Sequence, residues 1–295
     1  MVEVGPRDGL QGESVLPVAA RVALIRRLEG AGARRVETVS FANPSLLPQM
    51  AGAEEICEAL GDRSFAAIGL VLNERGMERA LACDLDEINL VAYASDGYAT
   101  KNTNATAATR NDEVADLIAA SRDAGRPATV TITVAFGDPV EGRVPMERVA
   151  DIAQRMEEAG ADEIALGDTI GAGVPTTVRQ VLDAVATAVG DTPLRCHFHN
   201  TRNTGYANAV AALDRGVATL DSAVGGYGGS PFSPGAGGNL ATEDLTAMLT
   251  EMGVSHGVDT SAMTETGLWL AEKLGHDHPP AMLGRAAGWP PAAHS

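Results

Sequence analysis

The chain has 295 residues, with 22 lysines and arginines against 39 aspartates and glutamates, which gives a formal net charge of −17. This acidic balance excludes a broad basic surface for nucleic acid, and 45% hydrophobic residues exclude disorder for most of the chain. The sequence has no apolar stretch of about 20 residues and no signal-peptide pattern, so we expect a cytoplasmic protein that does not bind membranes.

Short apolar or β-branched runs alternate with segments of helical period, which is the pattern of repeated βα units around a parallel sheet. Eight strands are predicted, at residues 2–5, 35–40, 66–72, 87–93, 128–136, 163–167, 194–198 and 219–224. Eight helices are predicted between and after them, at residues 19–30, 50–60, 74–82, 111–124, 146–159, 176–189, 204–215 and 242–252. Eight strands are the number that closes a TIM barrel.

We therefore expect an α/β protein, a (β/α)8 TIM barrel over residues 1–253 with a C-terminal helical cap and tail over residues 254–295. An open doubly wound sheet is the competing architecture. Such a sheet usually has a GxGxxG motif after its first strand, whereas this chain continues into Gly-Pro-Arg-Asp-Gly at residues 5–9. The cysteines lack metal or disulfide spacing and are predicted to be buried apolar residues; they are Cys57, Cys83 and Cys196.

Polar residues concentrate where the predicted strands end, and this end carries the active site in TIM barrels. His197 and His199 alternate along the seventh strand, so both imidazoles face one side and can reach one metal ion. Two such histidines can also be purely structural, but Asp8 at the end of the first strand favours the metal interpretation. Imidazole, carboxylate and amide ligands without cysteine favour Mg²⁺ or Mn²⁺ over structural zinc.

A glycine-rich segment at residues 225–239 follows the last strand directly. A flexible surface loop would have this composition, but the position of the segment and its final residue, Asn239, favour a mobile active-site lid that carries a ligand. The segment matches no phosphate-binding loop, because no Gly-Lys-Ser/Thr follows.

Three other polar groups leave alternatives open. Arg7 is either one half of an exposed ion pair with Asp8 or a fixed cation that stabilises an oxyanion. Glu37 is either a structural partner of Arg7 or a catalytic acid or base. Asp168 either caps the next helix or takes part in catalysis.

Five segments resemble, in order and spacing, the 3-hydroxy-3-methylglutaryl-CoA lyase family, a group of metal-dependent barrels. They are VEVGPRDGLQ (2–11), VETVSF (36–41), LGDTIGAGVP (166–175), HFHNT (197–201) and GNLATED (238–244). The resemblance implies Mg²⁺ or Mn²⁺ held by Asp8, His197, His199 and Asn239. It also implies further roles for residues of the barrel: Arg7 as the cation beside an enolate, Glu37 and Asp168 as active-site acids, and Lys101, Asn102 and Asn104 near a coenzyme A entrance.

The resemblance implies retro-Claisen or retro-aldol cleavage of a 3-hydroxyacyl-CoA. The substrate would be hydroxymethylglutaryl-CoA, which yields acetyl-CoA and acetoacetate, or a close analogue such as citramalyl-CoA. The expected partner is thus a small-molecule acyl-CoA, and barrels of this group often form homo-oligomers, here expected as a dimer. One alternative is a Claisen-type condensing enzyme, although about 40 residues after the barrel leave no room for a regulatory domain of about 100 residues. The other is a catalytically silent metal-binding barrel.

Three positions depart from the family pattern. Ser230 stands where the family has a catalytic cysteine, and an unactivated hydroxyl exchanges protons less readily than a thiol. Asp138 replaces the cysteine of a Gly-Cys-Pro segment, and Ser14 replaces a basic residue. Because Ser230 and Asp138 depart together, we expect an altered substrate choice with another proton route, through Asp138, Glu37 or Asp168.

Overall fold

The computed structural model describes residues 1–229 and 237–285. In these residues eight parallel strands form a closed barrel, in which each strand pairs with the next and the last pairs with the first. The α/β TIM barrel is therefore confirmed, and the open sheet is excluded. The strands are β1 (Val2–Glu3), β2 (Arg35–Ser40), β3 (Ala66–Leu70), β4 (Glu87–Tyr93), β5 (Ala128–Thr133), β6 (Glu163–Asp168), β7 (Leu194–Phe198) and β8 (Thr219–Ser222).

Ten α-helices in the described residues surround the barrel. The eight predicted helices are all present, with ends that differ by a few residues, and the additional two are α4 and α10. The helices are α1 (Val18–Gly30), α2 (Ala53–Leu60), α3 (Glu74–Leu81), α4 (Asp96–Thr103), α5 (Ala107–Asp123), α6 (Met146–Ala159), α7 (Pro175–Ala188), α8 (Gly205–Leu213), α9 (Thr242–Glu251) and α10 (Thr260–Leu274).

Helix α4 follows β4 and is not among the eight predicted helices. Its sequence has no apolar periodicity, so the helix is defined by its two ends. The Ser95 hydroxyl accepts a hydrogen bond from the Tyr98 N–H at 3.1 Å, and Asn104 ends the helix in the left-handed region with φ of 57°. Such caps are local signals that hydrophobic periodicity does not carry.

Alternation along the strands separates an outer apolar layer from a polar barrel interior. In β4, Ile88 and Leu90 are buried against the helices, whereas Asn89 faces the interior and donates to Glu37 at 2.8 Å. In β2 the pairing with β3 shifts by one residue between Glu37 and Val39. This bulge lets Glu37 face the interior while Val39 packs in the outer layer.

The chain after residue 253 packs directly on the barrel. The Asp259 carboxylate caps α10 by accepting from the N–H groups of Ser261 and Ala262, and the Asp259 N–H donates to the Ala31 carbonyl at 2.8 Å. Helix α10 lies where one or two helices are predicted, and the domain boundary at residue 253 stays a prediction. The rest of the predicted tail, residues 286–295, lies outside the described residues.

Two further expectations concern membranes and thiols. Across residues 1–229 and 237–285, no helix combines the length and the apolar character that a membrane span requires. Cys57, Cys83 and Cys196 are buried free thiols, as predicted. Burial raises the pKa of the Cys57 thiol to about 12, so this side chain stays protonated near neutral pH and acts as apolar packing.

Candidate active site

A π-helical turn, Gly5–Gly9, carries two site residues from β1 into the barrel mouth, the end at which the strands have their carboxyl termini. The Gly5 N–H donates to Glu3 Oε1 at 2.7 Å, and a Cβ on Gly5 would lie only 2.6 Å from this oxygen. Glycine is therefore required at the start of the turn. The turn directs Arg7 toward Glu37 of β2 and Asp8 toward the histidines of β7.

Asp8, His197 and His199 form a buried cluster that can hold a metal ion, with ligand atoms that all lie within 4.8 Å of one another. The Nε2 atoms of His197 and His199 are 3.1 Å apart. Asp8 Oδ2 lies 3.6 Å from Nε2 of His199 and 4.0 Å from Nε2 of His197. These distances agree with the expectation that strand alternation brings both imidazoles to one side, next to Asp8.

The outer nitrogens of both imidazoles have other partners. His199 Nδ1 lies 3.1 Å from the Gly237 carbonyl oxygen, which can only accept, so this nitrogen carries the proton. His197 Nδ1 lies 3.2 Å from Asp221 Oδ2. With its proton on Nδ1, each ring directs Nε2 toward the cluster, an arrangement typical of metal-bound histidines.

Asn239 completes the set of candidate ligands. Its amide nitrogen donates to Asp8 Oδ2 at 2.7 Å and to the Tyr227 carbonyl at 3.0 Å. Because both partners are acceptors, the amide has one orientation, and Asn239 Oδ1 is left buried without a hydrogen-bond partner among the described residues. A buried unpaired oxygen is costly, and a cation would satisfy it. Two imidazole nitrogens, one carboxylate and one amide oxygen thus fit a divalent ion.

The electrostatics of this cluster favour added positive charge. Burial raises the pKa of Asp8, but Arg7 and the histidines outweigh burial and hold this pKa well below its usual value. Burial lowers the pKa of His197, but Asp221 and Asp8 outweigh it and raise this pKa above its usual value. The carboxylates are therefore ionised, and they attract a cation to the Nε2 atoms.

Arg7 is a fixed cation beside the cluster. Its Nη1 donates to Asp8 Oδ1 at 2.6 Å, and its Nε donates to Glu37 Oε2 at 2.7 Å. Burial lowers the pKa of Arg7, but the two carboxylates more than reverse this effect, so the guanidinium stays charged. Glu37 is thus a structural partner of Arg7, and a catalytic role for Glu37 stays a prediction.

Asp168, at the end of β6, accepts hydrogen bonds from the turn that follows. Its Oδ1 accepts from the Ala172 N–H at 2.8 Å, and its Oδ2 accepts from the Gly173 N–H at 3.1 Å. Burial raises the pKa of Asp168 above its usual value despite these bonds. The carboxylate thus stabilises the turn and is also a stronger base than an exposed aspartate.

Asp138 lies after β5 and is bonded through both carboxylate oxygens. Oδ1 accepts from the N–H groups of Val140 and Glu141, the latter at 2.7 Å, and Oδ2 accepts from the Ser95 hydroxyl. These bonds give Asp138 a structural role in its turn. Its role in proton transfer stays a prediction.

The remaining predicted residues lie away from the centre of the cluster or outside the described part of the chain. Lys101 is exposed on α4, Asn102 has a buried Oδ1 that finds no hydrogen-bond partner in the described part of the chain, and Asn104 ends the helix. Their contact with coenzyme A stays a prediction. Ser230 and residues 231–236 of the predicted lid lie outside the described residues.

Several polar contacts of the site involve residues that the sequence did not indicate. Gln11 donates to Asp8 Oδ1 at 2.9 Å, Asn89 binds Glu37, and Asp221 binds His197. Asp221 stands directly opposite His197 in the pairing of β7 with β8. The register of β7 against β8 would have identified Asp221, because side chains directly opposite each other on neighbouring strands are in contact.

Comparison with known proteins agrees with this geometry. The family model HMGL-like matches residues 1–268. The chain belongs to this family. It is 43% identical to (R)-citramalyl-CoA lyase of Chloroflexus aurantiacus, over 97% of this chain and 94% of that protein. It is 40% identical to hydroxymethylglutaryl-CoA lyase of Pseudomonas mevalonii, over 92% and 91% of the two chains.

A solved structure extends the likeness to the whole fold. The hydroxymethylglutaryl-CoA lyase of Acinetobacter baumannii, in complex with coenzyme A and 3-methylmalate, matches with a TM-score of 0.93 at 33% identity. The match covers 100% of this chain and 96% of that one. The resemblance inferred from the sequence motifs is therefore confirmed.

Proposed function

We propose that this chain is a divalent-metal-dependent carbon–carbon lyase that cleaves a 3-hydroxyacyl-CoA, either hydroxymethylglutaryl-CoA or a close analogue such as citramalyl-CoA. The substrate class is supported by the relatives, which are named as lyases of these two esters. The observation that carries the proposal is the buried cluster of Asp8, His197 and His199 with the cation Arg7 beside it.

Asp8, His197, His199 and Asn239 would hold the ion. Their nitrogen and oxygen donors, without a thiolate, favour Mg²⁺ or Mn²⁺. A divalent ion bound there supplies Lewis-acid polarisation of substrate oxygens.

Asp168 is a better candidate proton acceptor than Glu37. Both Glu37 oxygens are occupied, Oε2 by Arg7 and Oε1 by Asn89. In the described part of the chain, Asp168 Oδ2 accepts one bond, from Gly173, and burial raises the pKa of this carboxyl. We assign Asp168 to the removal of the proton from the C3 hydroxyl of the substrate.

Loss of this proton lets the hydroxyl electron pair form the carbonyl of a keto acid while the C2–C3 bond breaks. The bonding electrons then remain on the thioester as an enolate. The Arg7 guanidinium, fixed by Asp8 and Glu37, stabilises the negative oxygen that develops. Protonation at C2 yields acetyl-CoA, and by sequence Ser230 corresponds to the catalytic cysteine that the family resemblance implies.

Release of acetyl-CoA tests the proposal. Metal-stripped protein is assayed with hydroxymethylglutaryl-CoA and with citramalyl-CoA, each with and without Mg²⁺ or Mn²⁺. We expect release from one of these esters, and only with the metal. His256→Ala is the control for loss of a histidine outside the site and should keep the activity of the wild type. His256 lies after α9, beyond the barrel strands, and bonds to Thr250.

Other outcomes would favour the alternatives. Binding of Mn²⁺ without acetyl-CoA release from either ester would contradict the lyase and favour a silent metal-binding barrel. Formation of free coenzyme A from acetyl-CoA and a keto acid, without cleavage activity, would favour a condensing enzyme.

A further inference from the structure

Arg195 is a cation in the barrel interior to which the proposed reaction assigns no role. It lies on β7, two residues before His197, and is 1% exposed. Its guanidinium lies 3.5 Å from Asp221, 3.5 Å from Glu163 and 3.4 Å from Asn89. A charge buried this deeply is stable only where nearby groups compensate it.

The contacts of Arg195 close a ring of side chains that passes through the candidate metal cluster. In order, the ring runs through Asp8, Arg7, Glu37, Asn89, Arg195, Asp221 and His197. One arm, Asp221 with His197, leads from Arg195 to a metal ligand. The other arm, Asn89 with Glu37, leads to the cation Arg7. Arg195 is the residue at which the two arms meet.

Asp221 depends on Arg195 for charge compensation. Its Oδ2 faces His197 Nδ1 at 3.2 Å. Within residues 1–229 and 237–285, its Oδ1 has no hydrogen-bond partner, and Arg195 Nε, 3.5 Å away, also has none. The two groups therefore compensate each other on that side, and removal of the arginine would take away the largest counter-charge of the buried Asp221 carboxylate and leave only His197 and Arg7.

We propose that Arg195 is a positioning residue for the metal centre. Its charge fixes the Asp221 carboxylate, Asp221 orients the imidazole of His197, and His197 thereby presents Nε2 to the ion. The inference rests on the proposed function, since it requires that the cluster binds a divalent metal. Loss of an outer partner of a metal-bound histidine lowers metal affinity by about 10- to 100-fold, and we expect about tenfold for Arg195.

The test measures Mn²⁺ affinity in the absence of substrate. Metal-stripped full-length chain is titrated with Mn²⁺, and free Mn²⁺ is followed by electron paramagnetic resonance. Arg195→Met keeps the length of the side chain without its charge and should raise the Kd about tenfold, whereas Arg195→Lys should stay within about threefold of the wild type.

Arg35→Met is the matched control. Arg35 is also an arginine of the barrel interior, but it binds Glu87 and Glu163 at the amino-terminal end of the strands. We expect its Mn²⁺ affinity to equal that of the wild type. Asp221→Asn is a second probe, because it keeps an acceptor for His197 without the charge opposite Arg195, and it should also weaken Mn²⁺ binding about tenfold.

The outcomes separate this inference from the proposed function. Wild-type affinity in folded Arg195→Met protein, or in Asp221→Asn if Arg195→Met does not fold, would overturn the inference alone. An equal loss in Arg35→Met would also overturn it, since the effect would then be a general one of charge removal. A wild-type chain that binds no Mn²⁺ would overturn both.

Discussion

Asp8 and Glu3 are close in sequence and both almost fully buried, yet the protein holds them in different charge states. Asp8 lies beside Arg7 and the two histidines, which keep its pKa well below the usual value although burial acts to raise it. Glu3 accepts hydrogen bonds from two backbone N–H groups and the Thr242 hydroxyl, all of them neutral. Burial raises the pKa of Glu3 to about 7.

Glu243, like Glu3, is a buried carboxyl whose pKa is raised by burial, and we call these two residues the rear cluster. The carboxylate of Glu243 accepts from the Gly225 N–H at 3.0 Å, and burial raises its pKa to about 8. Depth of burial therefore does not decide the charge of a carboxyl in this barrel. The nearest cation decides it: Asp8 beside Arg7 is ionised and ready for a metal, whereas Glu3 and Glu243 keep their protons up to about neutral pH.

Replacement of the acid by its amide should show the largest difference between Asp8 and Glu3. Asp8→Asn removes the charged ligand and should lower kcat/KM by at least about a thousandfold, with loss of bound metal. Glu3→Gln removes a neutral group and should keep both metal content and activity. Metal analysis, kinetics and circular dichroism on both variants measure this difference.

His197→Ala should behave like Asp8→Asn, and full activity of metal-stripped His197→Ala would refute the metal site.

Arg7 is the cation that distinguishes the mouth from the rear cluster. Arg7→Met should lower kcat about a hundredfold while KM changes little, because the charge is needed chiefly when the enolate forms. The exposed Arg75 at the start of α3 provides a control, Arg75→Met, for which we expect wild-type kinetics. An unchanged kcat in Arg7→Met would remove this residue from the mechanism.

The sequence predicts the barrel well because each strand buries an apolar face of regular period. It does not predict α4, whose ends are set by Ser95 and Asn104, nor the β2 bulge, which depends on how β2 pairs with β3. The helix depends on local caps and the bulge depends on tertiary pairing, and hydrophobic periodicity contains no information on either.

Site residues could be predicted from the sequence where a single position was informative. They could not be predicted where the role depends on a pair of residues on different strands. His197, His199 and Asp8 stand out because polar ligands end apolar strands. Asp221 and Arg195 are charges whose meaning appears only when neighbouring strands are matched in register. A buried charge is interpretable only together with its counter-charge, and the counter-charge lies on another strand.

Asp138 is an acid at the mouth without a nearby arginine or histidine partner among its described bonds. The sequence favours a proton route through it, but in the structure its Oδ1 accepts from the N–H groups of its own turn and its Oδ2 accepts from the Ser95 hydroxyl. We therefore expect Ser230→Cys to raise the rate of hydroxymethylglutaryl-CoA cleavage about tenfold, or about 1.4 kcal/mol, because a thiol donates a proton more readily than a hydroxyl. Asp138→Asn should leave kcat within about threefold. A damaged Asp138→Asn enzyme with no gain in Ser230→Cys would restore the route through Asp138.

The rear cluster should make the free energy of unfolding depend on pH in a range where Asp8, the carboxylate of the metal cluster, does not. Because the folded pKa of Glu243, about 8, lies above the usual 4.5, the folded chain keeps a proton that the unfolded chain loses above pH 4.5. Its stabilising contribution is therefore complete below pH 4.5 and declines as pH rises toward 8. The lowered pKa of Asp8 acts in the opposite direction and only in acid, since its contribution is lost as pH falls below the usual value of 3.8.

The side chain in Glu243→Gln cannot ionise, so the unfolding free energy should decline less with pH. Between about pH 5 and pH 8, the variant should lose less unfolding free energy than the wild type, by at least about 1 kcal/mol. Urea denaturation of both proteins at several pH values in this range measures the slope. Glu251→Gln, at the exposed end of the same helix, is the matched control and should keep the wild-type slope. Equal slopes in Glu243→Gln and wild type would mean that Glu243 is already ionised in the folded chain, and the contrast between the mouth and the rear cluster would then rest on Glu3 alone.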